Sequence, residues 1–87
     1  MNALELLAQQ VIERFPDVKA KFDLPENPEN FYWLDLKRGD NKPVTIEWKS
    51  DRGFGFFSPD AGYGERPELI IADPLLALGE TIRRLEV

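Results

Sequence analysis

The sequence contains no cysteine and no histidine. The absence of cysteine excludes disulfides, thiolate metal sites and cysteine nucleophiles. The absence of histidine excludes serine–histidine catalysis and removes the other common zinc ligand. Acid–base chemistry at neutral pH would fall to carboxylates, lysine or tyrosine with shifted pKa values. We therefore expect a protein that is not an enzyme and that has no catalytic residue, bound metal or cofactor.

Long apolar runs and phosphate-binding loops are also missing. No apolar run approaches the length that crosses a membrane. Glu5 and Glu13 interrupt the apolar N-terminal stretch, so we expect no signal peptide there. The segment Gly53-Phe54-Gly55 lacks the third glycine and the following helix of a phosphate-binding loop. Because a chain without cysteine also suits a reducing compartment, we expect a cytoplasmic protein with no membrane partner.

The composition is that of an ordinary folded domain. The chain has 87 residues, of which 43% are hydrophobic and 31% are charged, so we expect a single domain over residues 1–87 with one modest core. The formal net charge is −5, which argues against binding through the phosphate backbone of nucleic acid, because that affinity comes from lysine and arginine displacing counterions. Nucleic acid stays open only as a secondary partner that would need a local basic patch.

Two segments have the apolar periodicity of amphipathic helices. In residues 2–15, Asn2 is the expected N-cap and Glu5 its capping-box partner. The later helix is expected to begin with Asp73 as N-cap and Pro74 at the first helical position. The apolar residues predicted to be buried are Leu4, Leu7, Ala8, Val11, Ile12 and Phe15 in the first helix, and Leu75, Leu76, Leu78, Ile82 and Leu85 in the second.

Alternating apolar and polar residues predict β-strands between the two helices. The predicted strands are residues 17–24, 31–38, 44–49 and 54–58, and residues 69–72 form a further short extended segment. The predicted fold is therefore α+β: an N-terminal helix, a four-stranded antiparallel meander and a C-terminal helix, with both helices on one face of the sheet. The side chains expected on that covered face include Phe22, Leu34, Ile46 and Trp48, and the opposite face carries Trp33, Glu47 and other polar residues.

A tryptophan strand followed by a glycine–phenylalanine strand stands in the middle of the chain. Trp48, the run Arg52-Gly53-Phe54-Gly55-Phe56-Phe57 and the pair Pro59-Asp60 resemble the ribonucleoprotein motif of cold-shock domains. That resemblance implies single-stranded nucleic-acid binding, in which Trp48, Arg52, Phe54 and Phe56 contact the bases, with stacking worth about 1–3 kcal/mol per base. The other interpretation, which the net charge favours, is that the glycines allow close approach of a neighbouring segment while Phe54 and Phe56 fill the core.

The glycine-rich loop of residues 59–68 brings polar and aromatic side chains onto a turn-rich segment. Binding residues often lie on such loops, so the candidate partner-binding residues here are Asp60, Tyr63, Glu65 and Arg66. The alternative is a tight turn without a ligand, and the carboxylates lack the spacing of a calcium loop. Trp33 is the remaining candidate, either as an exposed anchor for a partner or as a residue covered by the loop of residues 25–30.

A second resemblance extends over residues 3–85. The blocks Trp33-Leu34-Asp35 and Gly62-Tyr63-Gly64-Glu65, with a helix towards each end of the chain, look like those of a group of small uncharacterised bacterial α+β proteins. That resemblance implies an accessory role beside helix-turn-helix regulators and metallopeptidases of stress or mobile-element operons. It implies no catalytic residue.

These patterns together predict a small acidic protein of a bacterial cytoplasm that binds another protein as an accessory or regulator. Recognition is expected through the Gly62–Arg66 loop and the exposed sheet face around Trp33, in a monomer or a homodimer. The alternative function is single-stranded nucleic-acid binding through the aromatic strand.

Overall fold

In the computed structural model, which describes residues 2–27, 30–41, 43–58 and 66–86, five strands lie between two helices along the chain. The elements are α1 (Ala3–Arg14), β1 (Val18–Asp23), β2 (Tyr32–Arg38), β3 (Val44–Lys49), β4 (Gly53–Phe56), β5 (Leu69–Ile71) and α2 (Pro74–Leu85). The predicted α+β class, with a helix before and after an antiparallel sheet, is confirmed.

The strands form one antiparallel sheet in the order β1-β2-β3-β4-β5, so each strand pairs with its neighbours in sequence. The predicted count of four strands is wrong, because Leu69–Ile71 pairs with β4 as a fifth strand. A strand of three residues is too short for its alternation to be distinguished from a loop in the sequence. The predicted faces of β2 and β3 are confirmed, because Leu34 stands opposite Ile46 and Trp33 stands opposite Glu47.

Both helices begin at the caps that the sequence predicts. The Asn2 side chain accepts a hydrogen bond from the Glu5 N–H at 2.8 Å, and the Glu5 carboxylate accepts one from the Asn2 N–H at 3.3 Å. At α2, the Asp73 carboxylate accepts a hydrogen bond from the Leu75 N–H at 2.8 Å, and Pro74 occupies the first helical position. These contacts satisfy N–H groups that have no partner within the helix, so both helix starts are fixed by local sequence.

One apolar cluster contains residues of both helices and of the sheet. Its members are Leu4, Leu7, Ala8, Val11, Phe15, Val18, Leu34, Leu36, Val44, Ile46, Phe54, Phe56, Ala77 and Leu85. We call the sheet face that bears Leu34 and Ile46 the inner face, and the face that bears Trp33 and Glu47 the outer face. Phe22, which was expected in the core, is 38% exposed because it lies near the end of the edge strand β1.

The buried side of α2 differs from the predicted one. The buried side chains are Ala77, Thr81 and Leu85, with Leu78 and Ile82 packed partly against the core. Leu75 and Leu76 are 76% and 65% exposed, so their predicted burial is wrong. The spacing of four residues between the buried positions turns a narrow stripe of mostly small side chains inward. The two leucines of the first turn therefore point away from the core. Ile12 of α1, at 40% exposure, also lies outside the buried stripe.

Phe54 and Phe56 lie in the core, at 1% and 0% exposure. We expect Phe54→Ala or Phe56→Ala to lower the free energy of unfolding by about 3–5 kcal/mol, because each substitution leaves a cavity. Chemical denaturation followed by circular dichroism measures this loss. Leu24→Ala is the control, since Leu24 is 62% exposed. A loss below about 1 kcal/mol for the phenylalanine variants, the typical effect of an average substitution, would contradict their core position.

Candidate functional site

A stacked aromatic pair lies on the outer face of the sheet. The ring centroids of Trp33 and Phe57 are 5.3 Å apart, and the ring planes are inclined by 24°. Phe57 is 8% exposed, whereas Trp33 is 37% exposed. The stack thus buries the phenylalanine and leaves part of the indole in solvent, as an aromatic anchor for a partner requires.

Pro67 covers the middle of the outer face. A Cβ added at Gly55 would lie 2.8 Å from Cγ of Pro67 and 2.9 Å from Cγ of Glu47, so glycine is needed for this close approach. Glu47 is only 7% exposed as a result of its position in this packing. Burial raises the pKa of the Glu47 carboxyl above its ordinary value, and the positive charge of Arg52 lowers that pKa in part.

The residues of the cold-shock resemblance do not share one exposed surface. Phe54 and Phe56 are buried, so neither ring has a free face on which a base would stack. Trp48 is partly buried on the inner face, with its ring centroid 5.6 Å from that of Tyr32. Arg52 is exposed in the turn after β3 and lies 5.6 Å from the ring centroid of Phe31. The glycines of β4 therefore serve close packing in this fold.

The loop predicted to bind a partner is described only at its end. Arg66 is exposed and precedes β5 in the chain. Asp60, Tyr63 and Glu65 lie outside the described residues, and their role in recognition stays a prediction.

Exposed apolar side chains gather where β5 lies beside α2. Leu75 and Leu76 of α2 are 76% and 65% exposed, and Leu69 and Ile70 of β5 are 39% and 43% exposed. We call the surface formed by these four residues and the partly buried Ile71 the apolar edge. Leu75, Leu76 and Ile71 line one groove, whereas Ile70 lies on the outer face of β5. Exposed apolar patches are typical of protein–protein or ligand-binding surfaces.

A shallow groove of about 430 Å³ runs between β5 and α2 on the inner-face side of the apolar edge. Its walls are formed by Ile71, Leu75, Leu76, Gly79, Glu80 and Arg83. Gly79 has no side chain to fill the groove, and a Cβ added there would meet nothing within 4 Å. The groove therefore has apolar walls and one charged margin, formed by the carboxylate and the guanidinium of α2.

The two edges of the sheet differ in how they are protected. β1 places Lys19, Lys21 and Asp23 on its exposed side, and charged side chains on an edge strand discourage further pairing. β5 has the sequence Leu-Ile-Ile, without charge or proline. Within the described part of the chain, β5 pairs only with β4. Among the residues that the structure describes, no strand lies along the other side of β5, and we call this side the open edge.

Arg84 fixes α2 against the sheet at this edge. Its guanidinium donates hydrogen bonds to the Phe57 carbonyl oxygen at 3.0 Å and to the Glu80 carboxylate at 2.7 Å, and it lies 2.8 Å from the Glu68 carboxylate. Glu80 also accepts hydrogen bonds from Arg83, and the hydrogen bonds from Arg83 and Arg84 lower the pKa of its carboxyl. Because Glu68 immediately precedes β5, these contacts set the position of α2 relative to the open edge.

Sequence reasoning missed the apolar edge because it assigned every leucine of α2 to the buried stripe. The buried residues Ala77, Thr81 and Leu85 are spaced four residues apart and form one stripe along α2. Leu75 and Leu76 precede that stripe and stand on other sides of the helix. A helix with more apolar residues than one buried stripe holds must expose some of them, and this excess indicates a second apolar surface.

Neither helix in the described ranges is long and apolar enough to cross a membrane. The same ranges contain no group of three or more acidic residues placed to hold a metal ion. Comparison with protein-family models, with curated proteins and with solved structures finds no match to this chain. Its function is therefore inferred from geometry.

Glu47 and Glu80 give stability opposite dependences on pH. The pKa of Glu47 is raised in the folded state, so ionising this carboxyl lowers stability, and the loss is relieved as the pH falls from above the raised pKa to the ordinary value of 4.5. The pKa of Glu80 is lowered in the folded state. Its ionised form therefore stabilises the fold at pH values above 4.5, and this stabilisation is lost as the pH falls through the lowered pKa.

We therefore expect Glu47→Gln to raise the melting temperature at neutral pH and Glu80→Gln to lower it. The difference in melting temperature between Glu47→Gln and the unsubstituted chain should shrink as the pH falls to the ordinary carboxyl pKa. The difference for Glu80→Gln should persist down to that pH and vanish only below it. Thermal unfolding at a series of pH values measures both, and Glu26→Gln in an exposed loop controls for the change in net charge. Shifts of the same sign at neutral pH would contradict the two opposite environments.

Proposed function

We propose that this chain is a small protein-binding protein without enzymatic activity, with an accessory or regulatory role, and that the apolar edge is its recognition surface. The observation that carries this proposal is the exposure of Leu75 and Leu76, at 76% and 65%, beside the edge strand β5, which pairs on one side with β4. An exposed apolar surface either promotes aggregation or binds a partner that removes it from water.

We infer that both helices cover the inner face of the sheet, since residues of α1, α2 and that face belong to one apolar cluster. The outer face then has neither of these helices on it, and Pro67 covers its middle, over Gly55. Ile70 lies on this face in one cross-strand row with Glu47, Gly55 and Trp33. With about 4.8 Å between strands, Trp33 and Ile70 are about 14 Å apart. Pro67 packs over Gly55, between Trp33 and Ile70, so Trp33 is a separate part of the surface from the apolar edge.

An extended segment of a protein partner fits the apolar edge. A strand at the edge of a sheet offers backbone N–H and C=O groups to an added strand, and this pairing supplies affinity. Side chains of the added strand alternate between the two faces. Those on the inner-face side would lie over the groove beside Ile71, Leu75 and Gly79. Main-chain pairing together with apolar side chains at alternate positions is therefore the expected mode of recognition.

We expect peptides selected from a random displayed library to bind at the apolar edge. Selected peptides are synthesised and titrated into the isotope-labelled chain, and their amide shift changes should concentrate on Leu69–Ile71 and on the first turns of α2. Burying one leucine is worth about 1.5–3 kcal/mol, so a Leu75→Glu/Leu76→Glu double variant should bind at least about tenfold more weakly.

Leu24→Glu is the matched control, because Leu24 is 62% exposed and directly follows β1, the strand at the opposite edge of the sheet from β5. It should bind the selected peptides like the unsubstituted chain. The glutamates in the double variant lie in the first turn of a helix, where the macrodipole favours negative charge, so the variant should fold. The proposal is overturned if the double variant binds as tightly as the control or if the shift changes map elsewhere.

A further inference from the structure

We propose that the occupant of the apolar edge is a second copy of this chain, joined through antiparallel pairing of the two β5 strands. This inference rests on the proposed recognition surface and names the partner that covers it. Antiparallel pairing of identical edge strands generates a two-fold axis, so the same residues meet from both copies. The result is one continuous sheet across two chains.

The side chains of β5 suit pairing with themselves on both faces of the sheet. With Ile70 at the two-fold axis, each Ile70 would meet its counterpart on the outer face. Leu69 of one chain would meet Ile71 of the other on the inner-face side. Every cross-strand pair is then apolar, and apolar pairs of this kind stabilise a sheet. This arrangement accounts for apolar exposure on both faces of β5, where Leu69 is 39% and Ile70 is 43% exposed.

The α2 helices of the two copies would lie on the same side of the joined sheet. The two-fold axis stands perpendicular to the sheet, so both inner faces point the same way. Leu75 and Leu76 of each copy then approach the groove of the other, which is open in a single chain. A stable interface needs about 1,000 Å² or more of buried surface. A three-residue strand supplies too little alone, so the leucines of α2 are necessary to the dimer.

The charges around the apolar edge favour a copy over a strongly charged partner. The chain as a whole has a formal charge of −5, which would make two copies repel one another. Residues 66–84, which contain the apolar edge, are neutral as a segment, because their three acidic and three basic side chains balance: Glu68, Asp73 and Glu80 against Arg66, Arg83 and Arg84. Electrostatic recognition of a charged partner needs a surface of the opposite sign. A neutral, apolar and self-complementary surface fits a second copy.

Sedimentation equilibrium of the full chain, from low-micromolar to millimolar concentration, measures this association directly. We expect a reversible monomer–dimer equilibrium that Leu75→Glu/Leu76→Glu shifts to monomer and that Leu24→Glu leaves unchanged. Ile70→Lys should also give monomer, because a lysine on an edge strand opposes pairing. A chain that is monomeric throughout this range overturns the inference, and so does a dimer that the Leu75→Glu/Leu76→Glu variant retains.

A single introduced cysteine tests the strand pairing itself, because the natural chain has none. Residues directly opposite in an antiparallel pair have Cα atoms about 4.5–5.5 Å apart, which suits a disulfide. Ile70→Cys should therefore form a disulfide-linked dimer on mild oxidation, whereas Leu24→Cys should not. A dimer in which Ile70→Cys does not crosslink overturns pairing centred on Ile70.

The two proposals fail in different ways. A monomeric chain that still binds library-selected peptides at the apolar edge overturns the second copy as occupant and leaves the recognition surface intact. A monomeric chain that binds no peptide there overturns both.

Discussion

Arg84 is the contact on which the candidate site depends. It joins α2 to the carbonyl oxygen of Phe57 at the end of β4 and to the carboxylate of Glu68 just before β5. Its own helix contributes Glu80 to the same network. A guanidinium has donors in a fixed planar arrangement, so it holds several acceptors in one geometry. Because α2 is held at this position and rotation, Ala77 packs inward while Leu75 and Leu76 stand beside the open strand.

The sheet supplies the other half of the site through its glycines. Pro67 lies so close to Gly55 that a side chain at position 55 would not fit. Two residues after Pro67, the chain enters β5. At Gly53, whose φ is +96°, an added Cβ would lie 2.7 Å from the Ile71 carbonyl oxygen. Both glycines thus allow the segment around β5 to lie against β4. Phe54 and Phe56, which alternate with these glycines, fill the core. The segment of residues 53–56 therefore contributes both to the core and to the position of β5.

Much of this fold is predictable from local sequence, because capping and strand alternation act over a few residues. Examples are the capping box of Asn2 with Glu5, the start of α2 at Asp73 and Pro74, and the shared face of Leu34 and Ile46. A short extended segment was predicted at residues 69–72, but its pairing with β4 and the outward side of α2 were not, because both depend on contacts distant in sequence. The leucines of α2 exceed what one buried stripe accommodates, which indicates a second apolar surface, but tertiary packing decides which of them lie on it. Of the candidate site residues, Trp33 and Arg66 are exposed, and their role in recognition stays a prediction.

The open edge at β5 is the central claim, and amide hydrogen exchange at increasing protein concentration tests it most directly. Hydrogen exchange reports how readily individual backbone amides open to water. Amide hydrogens on the open side of an edge strand exchange readily unless a partner covers them. We expect the amides of Leu69–Ile71 that point away from β4 to exchange readily in dilute solution and to become protected as concentration rises, while the outward amides of β1 stay unchanged. Slow exchange of these outward β5 amides in dilute solution, or exchange that does not change with concentration, would contradict an open edge that pairs with a second chain.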